Sequence, residues 1–319
     1  ELALSYSRLS DFDRNGPKAL YKRTFVSNEG AHIGSLVDDL LLDKAKFKKR
    51  YYLYDGEKPT ATLGKLSTVI LENYSVAPSK AKVLEIIRTN KFWGNWADET
   101  ITRAYDTPEF WEYLKAQYAS KDKAIVTNAD LNLAHDMVAI LNTHKNSAKI
   151  FNNTLTNYNQ FKFIFEFKGC VLRGIIDKVL VDHDKKTVRL IDLKTGQGKL
   201  KEFSSSFMKW RYYLQEAIYM LAFPEICKEL GLKGYSLLPF QFLYISRFQK
   251  VPYVFTVGDK WHTAALQGFR TTAGFEYKGL YELLTDVKWH MKTKEFIMSR
   301  ELAEGDGEIL LKDNYITIK

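Results

Sequence analysis

The sequence predicts an α/β protein: a central mixed sheet of about five strands, flanked by helices and carrying a helical insertion. Three observations predict it. Between Phe161 and Gly196 lie aliphatic, β-branched and aromatic runs of strand length. Residues 55–155 instead repeat their apolar residues at helical spacing. Residues 234–257 return to two aromatic and β-branched runs around Phe248-Gln249-Lys250, which read as a hairpin closing the sheet.

The chain opens with Leu4-Ser5-Tyr6-Ser7-Arg8-Leu9-Ser10-Asp11-Phe12, where serines stand ready to cap a short amphipathic helix. Pro17 suits the first position of another. From Gly30 to Leu42 a Gly-Ser start runs into an aliphatic helix that carries Asp38, a carboxylate which the helix N-terminus would favour in any case. Lys44, Lys46, Lys48, Lys49 and Arg50 form a basic run ahead of Tyr51, Tyr52 and Tyr54. The ordinary meaning of such a run is a solvated face.

Within 55–155, helices are predicted over Lys80–Arg88, with Ser79 as N-cap, and over Pro108–Tyr118. Thr127 caps a third, Asn128–His144, whose stripe is Leu131, Ala134, Val138 and Leu141. His32, His135 and His144 fall into no metal-ligand spacing and are read as structural.

The strand Phe161–Phe167 alternates phenylalanines on one face and places Glu166 on the other. Gly174-Ile175-Ile176-Asp177 and Leu190-Ile191-Asp192-Leu193-Lys194-Thr195-Gly196 follow, separated by the polar turn Asp182-His183-Asp184-Lys185-Lys186. Asp177 and Asp192 therefore fall on adjacent antiparallel strands. Alternation sets Val188, Leu190, Asp192 and Lys194 on one face. Tyr212, Gln215 and Tyr219 share a helix face soon after. The tail from Trp261 to Trp289 reads as helical, and Glu301–Lys319 ends in a short strand-like run.

Carboxylates held close on neighbouring strands repel one another unless a cation neutralises them. Hard oxygen donors suit Mg²⁺, with Mn²⁺ as substitute. An ammonium such as Lys194 beside them can orient water or offset developing negative charge. Asp-x-Lys alone is better explained by a solvated surface pair. The ordered set is more specific.

Gly-x-x-Asp, then Asp-x-Lys-Thr-Gly, then Gln-x-x-x-Tyr resemble the PD-(D/E)XK nuclease superfamily, in its RecB-like, lambda-exonuclease-like branch. The helical block before the hairpin is similar in layout to phage exonuclease VIII-like enzymes. The resemblance implies a restriction-endonuclease-like fold. Residues 1–319 would form a single nuclease domain, with 55–155 as helical insertion, 156–225 as catalytic core hairpin and helix, and 258–319 as helical tail. It implies Asp177, Asp192, the Leu193 carbonyl, Glu166 and Asp38 around the metal, and Lys194 as catalytic lysine. Gln215 and Tyr219 would orient the site or touch the DNA backbone. The family pattern Gly-x-x-x-His-x-x-x-Glu is only partly kept: Gly34 aligns, while Asp38 stands for the His and Leu42 for the Glu. Lys199, Lys201, Lys209, Arg211, Tyr212 and Arg173 are the candidate DNA contacts, basic groups interleaved with aromatics.

The expected activity is a Mg²⁺-dependent exonuclease acting on duplex DNA ends, 5′ to 3′, in recombination or repair. Its expected partners are a single-strand annealing protein and further copies of itself. A restriction-like endonuclease and a non-catalytic recombination scaffold are the rival readings. Composition is compatible: 319 residues with 45% hydrophobic content sustain a core, and a formal charge of +9 favours a polyanion. Two cysteines, Cys170 and Cys227, are too few for the four-cysteine iron–sulfur cluster of some relatives and suggest a reducing compartment. No apolar run reaches membrane-span length and no signal peptide opens the sequence shown, so the expected setting is the cytoplasm of a bacterium or phage-infected host.

Overall fold

The computed structural model describes residues 2–22, 29–199 and 202–305. The chain divides into two compact units: Glu1–Gly34 with Ala139–Lys319, and Ser35–Val138. The first holds a seven-stranded mixed sheet, not the five strands expected. The two extra strands, β1 (Leu4–Ser5) and β5 (Ser236–Leu237), are two residues long and leave no periodic trace in sequence.

The long strands are β2 (Thr156–Phe167), β3 (Cys170–Asp182), β4 (Thr187–Gly196), β6 (Gln241–Ser246) and β7 (Pro252–Thr256). The order β1-β3-β4-β6-β7 runs across the sheet, with β2 also on β3 and β5 also on β4. β2 begins five residues before the predicted Phe161, because Asn157, Asn159 and Gln160 mask its start. Polar amides are depleted in strands and do not advertise one.

β3 is flanked along its whole length by antiparallel β2, but its other edge is shared. β4 pairs with it only from Asp182↔Thr187 to Lys178↔Ile191, and β1 pairs parallel to it at Leu172 and Arg173. On its other edge β4 pairs parallel with β6, from Ile191↔Gln241 to Gly196↔Ser246. β3 and β4 thus part company after Lys178 and Ile191. The next register position would set Asp177 opposite Asp192, and there the fork opens.

Alternation slips at the same level. On β3 both Ile176 and Val179 belong to one core face, and on β2 both Tyr158 and Phe161 do. Gln160, between the latter two, adopts φ 51°. The slip occurs on both strands together, so the pairing skips Gln160 and Asp177 but keeps one register from Thr156↔Val181 to Phe167↔Cys170.

One face of the sheet carries helices α1 (Tyr6–Asn15), α2 (Glu202–Lys209), α3 (Tyr212–Leu221), α4 (Phe223–Leu230), α5 (Asp259–Gln267) and α6 (Leu280–Thr293). Ser5 caps α1, accepting from the Arg8 N–H. The core between the layers joins Leu172, Ile176, Val179, Val188 and Leu190 of the sheet to Leu9, Leu214, Ala217, Ile218 and Leu284 of the helices. Phe203 of α2 stacks on Phe255 at a centroid distance of 4.0 Å and meets Phe242 and Tyr244. The predicted tail is not continuously helical: a two-stranded pair, Phe269–Arg270 with Glu276–Tyr277, separates α5 from α6. Most of the predicted C-terminal strand lies outside the described residues. No helix of the described residues is long and apolar enough to cross a membrane.

The second unit packs helices Ala61–Asn73, Lys80–Thr89, Asp98–Tyr105 and Pro108–Ser120 around Leu66, Ile70, Ile87, Phe110 and Leu114. Ser79 caps its helix as expected, accepting from Lys82, and Thr127 accepts from Asp130 at the start of Asn128–Thr143. Tyr51–Tyr54 and Ala124–Thr127 form a parallel pair that the aromatic run did not reveal. The basic run is a helix, Lys44–Arg50, with no buried residue.

Phe203 is almost wholly enclosed, so Phe203→Ala is expected to cost about 3–5 kcal/mol, read as a lower urea midpoint at unchanged slope.

Candidate active site

The fork decides what the first carboxylate does. Where a ladder carbonyl would have met the Leu193 N–H, Asp177 Oδ2 accepts it instead, at 2.7 Å. Its other oxygen, Oδ1, accepts from Gln160 Nε2 of β2 at 2.8 Å. The carboxylate is held from both neighbouring strands and keeps a lone pair free on each oxygen.

Asp192 is buried on the helix-covered face of β4. Its Oδ1 accepts from Gln215 Nε2 at 2.5 Å, and its Oδ2 lies 2.5 Å from Lys194 Nζ. The Gln215 amide also donates to the Tyr219 hydroxyl at 3.1 Å, which donates to the Ile175 carbonyl at 2.8 Å. One helical face of α3 therefore ties β4 to β3 across the opening. Gly174 is the residue that lets it do so: a Cβ there would lie 2.5 Å from the Phe163 ring and 2.9 Å from that of Tyr219. The glycine of Gly-x-x-Asp makes room for the tyrosine of Gln-x-x-x-Tyr. Gly34 plays a similar part for Asp-x-Lys-Thr-Gly, since a Cβ on it would meet Thr195 Oγ1 at 2.6 Å.

Aromatic rings line the lysine. Lys194 Nζ stands 4.6 Å from the Tyr212 ring centroid and 5.8 Å from that of Phe242. Tyr6 packs on Tyr212, and its hydroxyl donates to the Trp210 carbonyl at 2.5 Å, a group that Ser10 Oγ also reaches at 2.9 Å. Sequence reasoning missed Tyr6 and Gln160. Tyr6 had a signal, since it sits in the serine-led opening segment. Gln160 had none beyond an amide among aromatics.

The electrostatics follow from burial and from two acids sharing one base. Burial, then the charge of Asp192, push the Asp177 carboxyl up to about 7, against the lowering effects of Lys194 and of the Leu193 and Gln160 donors. Burial opposes the Lys194 charge, but Asp192 above all, with Tyr212, Tyr6 and Asp177, outweighs it and holds the ammonium above its ordinary pKa. Burial also raises the Tyr6 and Tyr219 hydroxyls well above theirs, so both remain neutral donors.

The other predicted residues are placed as follows. Glu166 is exposed and opposes Val171, six positions from Asp177 along β3 or roughly 20 Å at strand rise. Asp38 lies on the helix Glu29–Leu42, in the second unit, where its charge adds to those that raise the Tyr51 hydroxyl. Arg211 is left-handed (φ 60°), donates to Asp13 Oδ2 and the Met208 carbonyl, and covers the Tyr277 ring. Lys209 is exposed, with its Nζ 5.0 Å from the Trp210 ring, and Lys199 and Arg173 are exposed as well. Lys201 lies outside the described residues.

Among the described residues no group of three or more His, Cys, Asp or Glu side chains converges. The donors at the fork are nevertheless of one kind. Asp177 and Asp192 offer carboxylate oxygens, and Gln215 Oε1 is buried with no hydrogen-bond partner. This set fits a hard divalent cation, which takes one or two carboxylates and completes its sphere with water and substrate oxygens.

The profile of the PD-(D/E)XK nuclease superfamily matches residues 3–247. No curated protein matches the sequence. A solved structure of a provisionally named exonuclease from Eubacterium rectale is similar at 14% identity and a TM-score of 0.48, covering 98% of this chain and 90% of its own.

Two predictions follow from the geometry. Gly174→Ala must displace Tyr219, and is expected to cut any activity of the site by about 10- to 100-fold, the usual cost of losing a supporting contact; a steady-state assay checks this. Asp177 titrates near 3.9 when unfolded and at about 7 when folded. Between those values the native chain holds the extra proton, so metal-free stability falls as pH rises through this window. Urea unfolding from pH 4 to 8 should show a shallower decline in Asp177→Asn.

Proposed function

The chain belongs to the PD-(D/E)XK nuclease superfamily, and from that premise we propose a divalent-metal-dependent deoxyribonuclease that degrades duplex DNA from its ends. The observation that carries this reading is the register of Asp177 and Asp192 across the fork, with the Lys194 ammonium against Asp192. Two acids and a protonated base face one opening, as phosphodiester hydrolysis needs.

Asp177 and Asp192 are the proposed ligands, for Mg²⁺ or Mn²⁺. When bound, the cation supplies Lewis acidity toward a phosphate oxygen and lowers the pKa of water. Gln215 fixes Asp192 through Oδ1, and Lys194 meets its Oδ2. Lys194 is held protonated, so its role is to offset charge growing on the phosphate oxygens rather than to abstract a proton. The Tyr212 and Phe242 rings keep that ammonium in place and exclude water behind it. Gln215 and Tyr219 act by positioning, through the chain that ends on the Ile175 carbonyl. Lys199, Lys209 and Arg173, exposed and basic, are assigned to the DNA backbone. The 5′ to 3′ polarity, the recombination role and an annealing partner are proposed on the family resemblance.

The test incubates linear duplex, labelled at its 5′ or 3′ end, and closed circular DNA with Mg²⁺. The expected outcome is loss of linear DNA with the 5′ label first, survival of circles, and a fall of about 10²–10³ in rate for Lys194→Ala. Cut circles would make the enzyme an endonuclease. No cleavage with Mg²⁺ or Mn²⁺ would end the catalytic reading.

A further inference from the structure

The backbone at Gln160 is unusual for its residue type. It adopts φ 51° inside a long strand, where a β-carbon makes the left-handed region costly and only glycine, or to a lesser degree asparagine and aspartate, settles readily. Strand geometry elsewhere along β2 is continuous, and the register with β3 is kept on both sides of the position. Nothing in the pairing requires a glutamine there. Glycine would relieve the conformation, and asparagine would tolerate it better.

The side chain gives the residue a purpose. Gln160 Nε2 donates to Asp177 Oδ1 at 2.8 Å, opposite the Leu193 N–H that holds Oδ2 at 2.7 Å. The left-handed turn coincides with the slip in alternation, which carries Tyr158 and Phe161 to the same core face. Ordinary alternation through Gln160 would not place both rings in that core. We propose that Gln160 is a positioning residue: it accepts an unfavourable backbone so that its amide orients the Asp177 carboxylate for the divalent cation. The observed outlier thus has a functional account. The amide restricts Asp177 to one rotation, and the lone pairs not used by Gln160 and Leu193 face the opening. Asparagine, one methylene shorter, loses that reach while keeping the amide. Glycine loses the amide altogether.

This inference rests on the reading of Asp177 and Asp192 as cation ligands, and the experiment separates the two. Mn²⁺ binding is measured by calorimetry without DNA for the wild type, Gln160→Asn, Gln160→Gly and Asp192→Asn, alongside the metal-free melting temperature of each. Asp192→Asn should abolish binding; if it binds as the wild type does, the ligand reading itself fails. With that control satisfied, both Gln160 variants should bind Mn²⁺ about 10- to 100-fold more weakly. Their metal-free melting temperatures should equal the wild-type value or exceed it by about 2 °C. The apparent KM for linear DNA should stay within about twofold while the Mn²⁺ concentration for half-maximal rate rises. Wild-type Mn²⁺ affinity in both variants would overturn the proposal. A melting temperature several degrees below wild type in both would also overturn it, by making Gln160 a structural bridge between β2 and β3.

Discussion

The structure depends on the parting of β3 and β4. An antiparallel ladder that continued past Lys178 and Ile191 would pair the backbones of Asp177 and Asp192 and leave no opening between the strands. Because β3 and β4 stop pairing there, the Leu193 N–H has no ladder partner and a side-chain carboxylate accepts it instead. A buried N–H must find an acceptor, and an ionised or partly ionised oxygen is a strong one. The fork therefore selects for an acid at Asp177 before any chemistry is asked of it. It also sets two acids next to each other, which is electrostatically costly and makes Lys194 or a cation necessary.

The remaining elements hold this arrangement in place. α3 spans the opening with Gln215 and Tyr219, and α1 brings Tyr6 and Ser10 to the Trp210 carbonyl that precedes α3. Most of these side chains are buried with satisfied donors, in the surroundings where an unsatisfied one costs most. Rigidity at the site is thus a by-product of hydrogen-bond accounting in the core. It does not require a dense acidic cluster, and the described residues contain none.

How much of this was legible in the sequence differs by element. The hairpin turn, the adjacency of Asp177 and Asp192, and the Tyr212, Gln215 and Tyr219 stripe follow from local periodicity, which depends on nearest neighbours along the chain. Helix caps at Ser79 and Thr127 were equally plain, for the same reason. The fork was not. It depends on where the β3–β4 pairing ends, a long-range property that leaves no local pattern. β1 and β5 are too short for any period, and the slip at Gln160 breaks the alternation that strand reading relies on. Glu166 shows the opposite limit. Alternation put it opposite the phenylalanines, where it is found, but position along a strand depends on register, and register placed it opposite Val171.

The matched slip on β2 and β3 bears on how such a chain can change. Eleven residue pairs share one register across it, because both strands shift face together. A single-residue deletion in either strand would break that agreement and turn every side chain beyond it to the wrong face of the sheet. A matched one-residue change in both arms keeps the register but still turns the far side chains over, so only a paired change of two residues in each arm keeps the phenylalanines inside. The lineage of this hairpin is therefore constrained to vary by substitution, and length variation is expected to collect in the turns at its ends.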